Sequence, residues 1–299
     1  MRILFVTSNR LGDAVLSTGL LDHLLRAHPA ARFTVVCGSV AEGVFARMPR
    51  RERTIVLEKR RYGLHWLPLW AATVPHWWDL VVDIRASALS FLVPTRRRAV
   101  RRRGGGHKTA QLGSLLGLDP PPLPVVWTDA ADEALAAALL PADRRVVALA
   151  PTANWAPKTW PAERFAALFQ AVRQAVPDAV PAVLGGPGAT ERAMAAPLLD
   201  ALPDAIDLVG RLTVPEAAAC LRRAALFVGN DSGLMHVAAA SGAPTVGLFG
   251  PTDAGEYGPA GTCTAAVVSP DGTMAGITVE AVLAAAKGLT PALPWRDAA

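Results

Sequence analysis

The sequence predicts an α/β protein of two domains, each with a parallel sheet covered by helices on both faces. Short apolar, β-branched runs alternate with helical patterns along the chain, which is typical of strands buried on both faces. The length of 299 residues exceeds one average domain, and 52% of the residues are hydrophobic. A proline-rich segment at residues 119–124 interrupts the alternation near the middle.

In the first half, strands are predicted where apolar runs end in turn residues, at residues 2–7, 33–37, 54–57 and 80–84. Helices are predicted where apolar residues recur every three to four positions, at residues 13–28, 40–48 and 64–74. Pro29 ends the first of these helices. The prolines of residues 119–124 can continue neither a helix nor a central strand, so we interpret them as a stiff interdomain connector.

The same alternation restarts after an alanine-rich helix at residues 130–140. Strands are predicted at residues 146–150, 180–185, 206–209, 226–228, 245–249 and 265–268. Helices are predicted at residues 162–176, 191–202, 215–224, 234–241 and 279–287. The domains therefore span residues 1–128, including the linker at 119–128, and residues 129–299.

Charge is divided unevenly between these domains. Residues 1–128 carry 19 Lys and Arg against 8 Asp and Glu, a net charge of +11, whereas residues 129–299 carry 11 against 17, a net charge of −6. A basic first domain suggests an anionic partner. The densest cluster contains Arg96, Arg97, Arg98, Arg101, Arg102 and Arg103. A solvated loop, a contact with phosphorylated lipid or membrane headgroups, and nucleic-acid binding all remain open for it.

Several classes of protein are excluded or disfavoured. The apolar content excludes intrinsic disorder, and no apolar stretch approaches the roughly 18–20 residues that cross a bilayer. Cys37, Cys220 and Cys263 form no C-x-x-C pair, which argues against a disulfide framework or zinc site and favours buried thiols. We expect a monomer that stays in the cytoplasm or lies against a membrane without crossing it. Trp66, Trp70, Trp77 and Trp78 suit either core packing or such an interface.

The first candidate site follows the first predicted strand. Ser8, Asn9 and Gly12 lie in the loop, and Asp13 opens the next helix. Asp13 is either an N-cap residue or a carboxylate that takes a proton from a substrate hydroxyl. The loop contains no G-x-G-x-x-G, so it is not a dinucleotide fingerprint. Arg10 is a candidate contact for an anionic partner, together with Arg96, Arg97, Arg98 and Arg101.

The second candidate site is the loop at residues 150–161, after the first strand of the second domain. Lys158 lies there among apolar and aromatic residues, and Thr152 and Asn154 precede it. A single lysine in such a loop suits a phosphate as a point charge. The alternative is a surface lysine beside a packed tryptophan.

The third candidate site is the turn from a strand into a helix at residues 227–236. The N–H groups of Ser232, Gly233 and Leu234 would lie at a helix N-terminus, where the helix dipole favours a diphosphate. Asp231 suits sugar hydroxyls, and His236 is a donor to phosphate or sugar oxygen. An ordinary capped helix is the alternative.

Taken together, these segments resemble glycosyltransferase family 9, the ADP-heptose:lipopolysaccharide heptosyltransferases. The matching strings are Leu11-Gly12-Asp13, Lys158-Thr159-Trp160-Pro161, the run from Asn230 to Ala239, and Leu248-Phe249-Gly250-Pro251-Thr252-Asp253. Their order and spacing match from Arg2 to about Gly258, and the Asp-Ser-Gly-Leu-Met-His run is the specific part. Residues 86–107 depart from the family pattern, with the arginine cluster in their place.

The resemblance implies the GT-B fold, two Rossmann-like domains facing across a cleft. It also implies an inverting, metal-independent transfer of heptose from ADP-heptose to an inner-core lipopolysaccharide acceptor, with no cofactor. By this resemblance Asp13 is the base and Lys158 binds the donor diphosphate with the amides of residues 232–234. Asp231 and His236 then contact the donor sugar and phosphate, Leu212 lies near the adenine, and Glu191 reaches the ribose. Thr152 and Asn154 belong to the same donor-binding set.

Other functions remain as alternatives. A non-catalytic sugar-nucleotide or lipid-binding relative would not need Asp13, and a family 9 transferase acting on another glycan acceptor would keep the whole donor site. A nucleic-acid-binding protein is disfavoured because the arginine cluster lacks interleaved aromatic residues and no nucleic-acid motif accompanies it. A GT-B-type sugar epimerase would need further acid and base residues that the sequence does not reveal.

Overall fold

The computed structural model describes residues 1–58, 65–101 and 104–295. The chain forms two compact units, Met1–Trp127 and Thr128–Ala299, which divide one residue before the predicted boundary. The strands of each unit pair in parallel. The predicted fold class of two parallel-sheet α/β domains is therefore confirmed.

The first unit contains a five-stranded sheet in the order β3-β2-β1-β4-β5. Its strands are β1 (Arg2–Val6), β2 (Arg32–Gly38), β3 (Arg51–Leu57), β4 (Trp78–Asp83) and β5 (Thr95–Val100). Its helices are α1 (Leu11–Ala27), α2 (Trp66–Thr73), α3 (Leu89–Leu92) and α4 (Lys108–Gly113). The chain winds outward from β1 first in one direction and then in the other, so the switch point of this sheet lies between β1 and β4.

The second unit contains a six-stranded sheet in the order β11-β10-β9-β6-β7-β8. Its strands are β6 (Arg145–Ala150), β7 (Ala179–Val183), β8 (Ile206–Asp207), β9 (Leu226–Asn230), β10 (Thr245–Phe249) and β11 (Thr264–Val268). Its helices are α5 (Ala130–Leu139), α6 (Ala162–Ala175), α7 (Ala189–Ala201), α8 (Val214–Arg222), α9 (Gly233–Ala240), α10 (Ala254–Tyr257) and α11 (Val279–Leu289). Here the switch point lies between β6 and β9.

Continuous apolar strands form the centre of both sheets because helices cover both faces. All five residues of β9 are buried, as are four of the five in β1. In the second unit Trp160, Phe165 and Phe169 are fully buried and join α6 to the sheet. The Trp160 and Phe165 rings meet edge-on, with their centroids 4.9 Å apart.

The prediction of buried cysteine thiols is confirmed for Cys37 and Cys220 but not for Cys263. The three thiols are free, with Cys37 and Cys220 buried and Cys263 half-buried. Desolvation by burial raises the pKa of the Cys37 thiol to about 12 and that of Cys220 to about 11. The Cys263 thiol lies 3.3 Å from the Leu289 carbonyl oxygen.

The arginine cluster shows the largest departure from the predicted elements. Residues 95–100 form the edge strand β5, so the interpretation of this run as a solvated loop is wrong for the described part. An edge strand has an unpaired side, and charged side chains there discourage pairing with another sheet. A run of arginines is therefore compatible with an edge strand. Arg102 and Arg103 lie outside the described residues.

Smaller differences concern the ends of elements. The helix predicted at 40–48 is a 3-10 helix over Ser39–Phe45, and the strand at 206–209 shortens to the two residues of β8. The helix predicted at 64–74 is α2, and Leu64 lies outside the described residues. The proline-rich connector lies within the first unit, where the Val125 N–H donates to Thr18 Oγ1 of α1 at 2.9 Å.

Candidate functional site

An ion pair lies at the switch point of the second sheet. Lys158 follows β6 and Asp231 follows β9, and the Lys158 Nζ donates to Asp231 Oδ2 at 2.5 Å. The exposed fractions of the two side chains are 19% and 8%. Lys158 is therefore mostly buried and ion-paired, and the nearby Trp160 is packed in the core. An ammonium has three N–H donors and a carboxylate has two oxygens, so each partner retains capacity for a ligand.

Asn230 holds the Lys158 loop against the end of β9. Its Oδ1 accepts from the Trp160 N–H at 3.0 Å, and its Nδ2 donates to the Pro151 carbonyl at 2.8 Å. Because Asn230 is fully buried, both bonds are made in a low-dielectric environment. Sequence reasoning did not assign this role, since it depends on partners that lie 70 or more residues away along the chain.

The N-terminus of α9 begins directly after Asp231. Ser232 is the N-cap residue, and Gly233 and Leu234 are the first two helical residues. The Ser232 side chain makes no capping hydrogen bond, and its Oγ has no hydrogen-bond partner among the described residues. The first N–H groups of a helix lack intrahelical acceptors, so this turn offers an anion-binding end. His236 lies one turn further on and is buried.

Two further hydroxyls at this edge of the sheet were not singled out from the sequence. Thr159 follows Lys158, and Thr252 lies in the loop after β10, the strand next to β9. Their hydroxyl oxygens are buried and have no hydrogen-bond partner among the described residues. Buried hydroxyls in globular proteins are nearly always paired, so both join Ser232 as candidate ligand contacts. Both residues lie in strings quoted for the family resemblance, which was the available signal.

The loops after β6, β7 and β8 meet around Gly185. A Cβ at Gly185 would lie 3.1 Å from Val209, 3.4 Å from Thr152 and 3.6 Å from the Glu191 carboxylate. Glu191 Oε2 accepts from the Gly186 N–H at 3.1 Å. Thr152 and Glu191 are thus brought together, and a side chain at position 185 would crowd them. Asn154 is exposed, and Leu212 is half-buried between β8 and α8.

In the first unit, Asp13 lies in the first turn of α1 and not at its cap. The helix begins at Leu11, its N-cap residue is the exposed Arg10, and Gly12 is helical. The N-cap alternative for Asp13 is therefore wrong. Asp13 is half-buried, and its Oδ2 accepts from Ser8 Oγ at 3.2 Å. Ser8 Oγ in turn accepts from the Arg10 N–H at 3.1 Å. The bond from Ser8 orients Asp13 Oδ2 and leaves Oδ1 of the same carboxylate for a ligand.

Asn9 connects the loop after β1 to two neighbouring strands. Its Oδ1 accepts from the Arg85 guanidinium at 3.0 Å, and a Cβ at Gly38 would lie 2.7 Å from its Cα. The fully buried Asp83, at the end of β4, accepts from the N–H groups of Arg85 and Ser87 at 2.8 Å each. Asp83 therefore shapes the loop that carries Arg85. Arg85 was not among the residues predicted from the sequence.

The described arginines of the cluster have different surroundings. Arg96 and Arg97 are exposed on β5. Arg98 donates to the carbonyls of Ser90 at 2.7 Å and Val93 at 3.2 Å. Arg101 donates to Gln111 Oε1 at 3.1 Å. Arg98 is exposed like Arg96 and Arg97 but also makes these hydrogen bonds within the unit, and Arg101 is half-buried.

Two further searches cover only the part of the chain that the structure describes. Within it, no group of three or more His, Cys, Asp or Glu side chains is arranged to hold a metal ion. No described helix is both long and apolar enough to span a bilayer.

The two switch points suit different chemistry. In the second unit, an ammonium, a helix N-terminus and nearby hydroxyls offer donors to an anion such as a diphosphate. In the first unit, a half-buried carboxylate held by a serine is suited to accept a proton.

Comparison with known proteins agrees with this chemistry. The sequence matches the family model "Glycosyltransferase family 9 (heptosyltransferase)" over residues 78–282. Lipooligosaccharide heptosyltransferase 2 of Haemophilus influenzae is 24% identical over an alignment of 301 positions that covers 84% of each chain.

Solved structures share the fold at low identity. A glycosyl transferase family 9 structure from Veillonella parvula has a TM-score of 0.81 at 22% identity, over 97% of each chain. The structure of E. coli heptosyltransferase WaaC with ADP-2-deoxy-2-fluoro heptose has a TM-score of 0.74 at 20% identity, over 94% of this chain and 98% of that one. The predicted GT-B fold class is confirmed. This chain belongs to glycosyltransferase family 9 and is a glycosyltransferase of the heptosyltransferase type.

Proposed function

We propose that this glycosyltransferase moves a heptose from ADP-heptose to an anionic, lipid-linked inner-core lipopolysaccharide acceptor, with inversion and without a metal ion. The observation that carries the proposal is the Lys158–Asp231 pair next to the N-terminus of α9, at the switch point of the second sheet. A relative of the same fold has been solved with ADP-2-deoxy-2-fluoro heptose, which supports a donor of this class.

The second unit binds the leaving nucleotide. Lys158 and the N–H groups of Ser232, Gly233 and Leu234 hold the diphosphate, since cations and helix N-termini stabilise the charge that develops on it. The hydroxyls of Ser232, Thr159 and Thr252 add donors. A lysine and a helix end thus supply the electrostatic stabilisation for which other transferases use a metal ion.

Donor specificity comes from the residues around this anion site. Asp231 accepts from sugar hydroxyls through the carboxylate oxygen that Lys158 does not occupy, and His236 donates to the sugar or phosphate. Glu191 and Thr152, which meet at Gly185, bind the ribose. Leu212 packs near the adenine, and Asn154 completes the donor-binding set.

Asp13 of the first unit is the general base. As the acceptor oxygen forms its bond to the anomeric carbon, Asp13 takes the hydroxyl proton. The bond from that carbon to the diphosphate oxygen breaks, and its electron pair leaves with ADP. Attack from the face opposite the leaving group inverts the anomeric centre. Arg10, Arg96 and Arg97, together with Arg98 and Arg101, supply positive charge for an anionic acceptor. The protein acts as a monomer in the cytoplasm or on the cytoplasmic face of the inner membrane.

A transferase with a different glycan acceptor is the second candidate. It is favoured by the exposed arginines on β5, in a region where the sequence departs from the family pattern. A non-catalytic relative would bind the same nucleotide sugar without turnover, and Asp13 with its Ser8 contact argues against it.

Thermal unfolding in the presence of ADP, UDP or GDP tests the donor, because a bound ligand raises Tm by mass action. We expect ADP to raise Tm more than UDP or GDP at equal concentration, with EDTA making no difference. ADP-heptose turnover assayed with heptose-free inner-core glycolipid and with unrelated glycans then identifies the acceptor. A larger shift with UDP would contradict the donor assignment, and ADP-heptose binding without transfer to any acceptor would favour the non-catalytic alternative.

A further inference from the structure

The outer face of α2 is apolar although it lies at the surface. Leu69 and Thr73 are buried and Trp66 is half-buried. By contrast, Leu67 is 61% exposed and Trp70 is 42% exposed. No charged residue occurs in the sequence of this helix. A surface helix of a globular protein normally carries polar residues on its outer face, so a surface helix with an apolar outer face indicates a binding surface.

Helix α3 extends this apolar surface. Phe91 is 65% exposed and Leu92 is 60% exposed. The two helices are in direct contact, since the Trp70 Nε1 donates to the Leu92 carbonyl at 3.1 Å. Beneath them, Leu69 and Leu89 are buried in one cluster with Val81 of the sheet. Leu67, Trp70, Phe91 and Leu92 therefore form one patch on a rigid support, which we call the α2–α3 patch.

Arginines of β5 border this patch. Arg98 reaches α3 directly, where its guanidinium donates to the Ser90 carbonyl. Side chains alternate along a strand, so Arg96 shares the face of Arg98 and Arg97 points to the opposite face. The strand pairing gives the same assignment. Arg98 pairs with Val81, which lies in the cluster beneath α2 and α3, whereas Arg97 pairs with Leu80, which lies outside that cluster. Exposed apolar and aromatic side chains thus adjoin two cations on one face of the first unit.

We infer that the α2–α3 patch docks the protein on the surface of an anionic lipid bilayer. Leucine, phenylalanine and tryptophan side chains are suited to enter the boundary between headgroups and acyl chains, and arginines beside them pair with anionic headgroups. The excess of positive charge in the first unit attracts the same surface over a longer range. A second copy of the chain fits less well, because its own arginines would face those of the first copy.

This docking surface does not depend on the donor or on turnover, and it shares only Arg96 and Arg98 with the arginines assigned to the acceptor. It lies within the first unit and uses none of the residues assigned to nucleotide binding. Docking of this kind would bring the enzyme to the surface where lipid-linked molecules reside, without a membrane-spanning helix.

Flotation of the full-length protein with vesicles tests the inference. The vesicles contain either phosphatidylcholine alone or phosphatidylcholine with about 30 mol% phosphatidylglycerol, which gives the vesicle surface a negative potential that attracts arginines. We expect the protein to float with the anionic vesicles and to bind less as salt rises, because salt screens the headgroup charge. The double variant Leu67→Gln/Phe91→Gln is expected to lower the partition coefficient more than tenfold.

Matched controls separate the patch from general effects. Leu123→Gln changes another exposed leucine of the first unit and should leave the partition unchanged. Arg96→Gln should lower it about fivefold, equivalent to ~1 kcal/mol for one arginine at the membrane surface. Arg97→Gln removes the same charge from the opposite face and should have a smaller effect. Tm and ADP binding of each variant show that folding and the second unit are intact.

Several outcomes would overturn the inference. Equal loss of flotation in the Leu67→Gln/Phe91→Gln and Leu123→Gln variants would show that the patch is not the docking surface. Equal effects of Arg96→Gln and Arg97→Gln would show that net charge alone binds the vesicles. If sedimentation shows a dimer that only the patch variant dissociates, and no variant or wild type floats, the patch is a contact between copies of the chain.

Discussion

The two units wind their sheets outward from β1 and β6 in the same order, but the loop after β1 leads to a carboxylate and the loop after β6 to an ammonium. The loop after β1 leads to Asp13, held by Ser8, whereas the loop after β6 leads to Lys158, paired with Asp231. Each loop is anchored to the neighbouring strand end, by Arg85 and Asn9 in the first unit and by Asn230 in the second. The shared topology therefore places a loop at the switch point of each sheet, and one charged side chain that follows each loop's strand decides the chemistry at that point.

The largest effect is expected from the first switch point. Asp13→Asn keeps an oxygen that accepts from Ser8 but removes proton acceptance, so kcat should fall about 10²- to 10⁴-fold while ADP-heptose affinity stays nearly unchanged. Steady-state kinetics and calorimetry measure the two quantities. Asp22→Asn, in the same helix and paired with Arg26, is the control and should retain activity. Wild-type turnover by the Asp13 variant would remove the distinction between the two switch points.

An intermediate effect is expected at the second switch point. Lys158→Ala removes a charged hydrogen bond to the diphosphate and should weaken ADP binding by about 1.5–3 kcal/mol, or roughly 10- to 150-fold in Kd. The substitution also leaves the Asp231 carboxylate without its partner, so the Lys158→Ala/Asp231→Ala double variant is needed to separate lost attraction from added repulsion.

Calorimetric titration of ADP into both variants makes this measurement. Lys287→Ala, a lysine of α11 next to Trp295, is the matched control and should bind ADP as the wild type does. Unchanged ADP affinity in both Lys158 variants would contradict the assignment of the second unit to the anion.

The smallest effect is expected from the anchor in the second unit. Asn230→Ala leaves the Trp160 N–H and the Pro151 carbonyl without their buried partner, and should lower the free energy of unfolding by about 1–2 kcal/mol. Denaturant unfolding measures it. Asn154→Ala, at an exposed position of the loop, should change the free energy of unfolding by no more than about 0.5 kcal/mol. Equal values for the two would show that Asn230 does not hold the loop.

Much of the fold was predictable because it is recorded in local patterns. The apolar runs at β1, β6 and β9 and the periodicity of α1 and α6 follow from burial on both faces of a parallel sheet. The candidate loops were identified because ligand-binding residues of such sheets follow the strands. The interpretation of residues 95–100 as a loop was wrong because an edge strand pairs on one side only and tolerates charged residues on both faces. Such a run lacks the alternation of apolar and polar residues by which a strand is recognised.

The sequence by itself determined the two α/β domains, the family motifs and the residue types at each strand end, since these depend on neighbours within a few positions. Only the tertiary structure decided that Lys158 pairs with Asp231, that Asn230 anchors the Lys158 loop, and that Leu67 and Phe91 lie exposed on two helices in contact. The physical reason is that strand order brings together residues far apart in the chain, and burial and ion pairing depend on those distant neighbours.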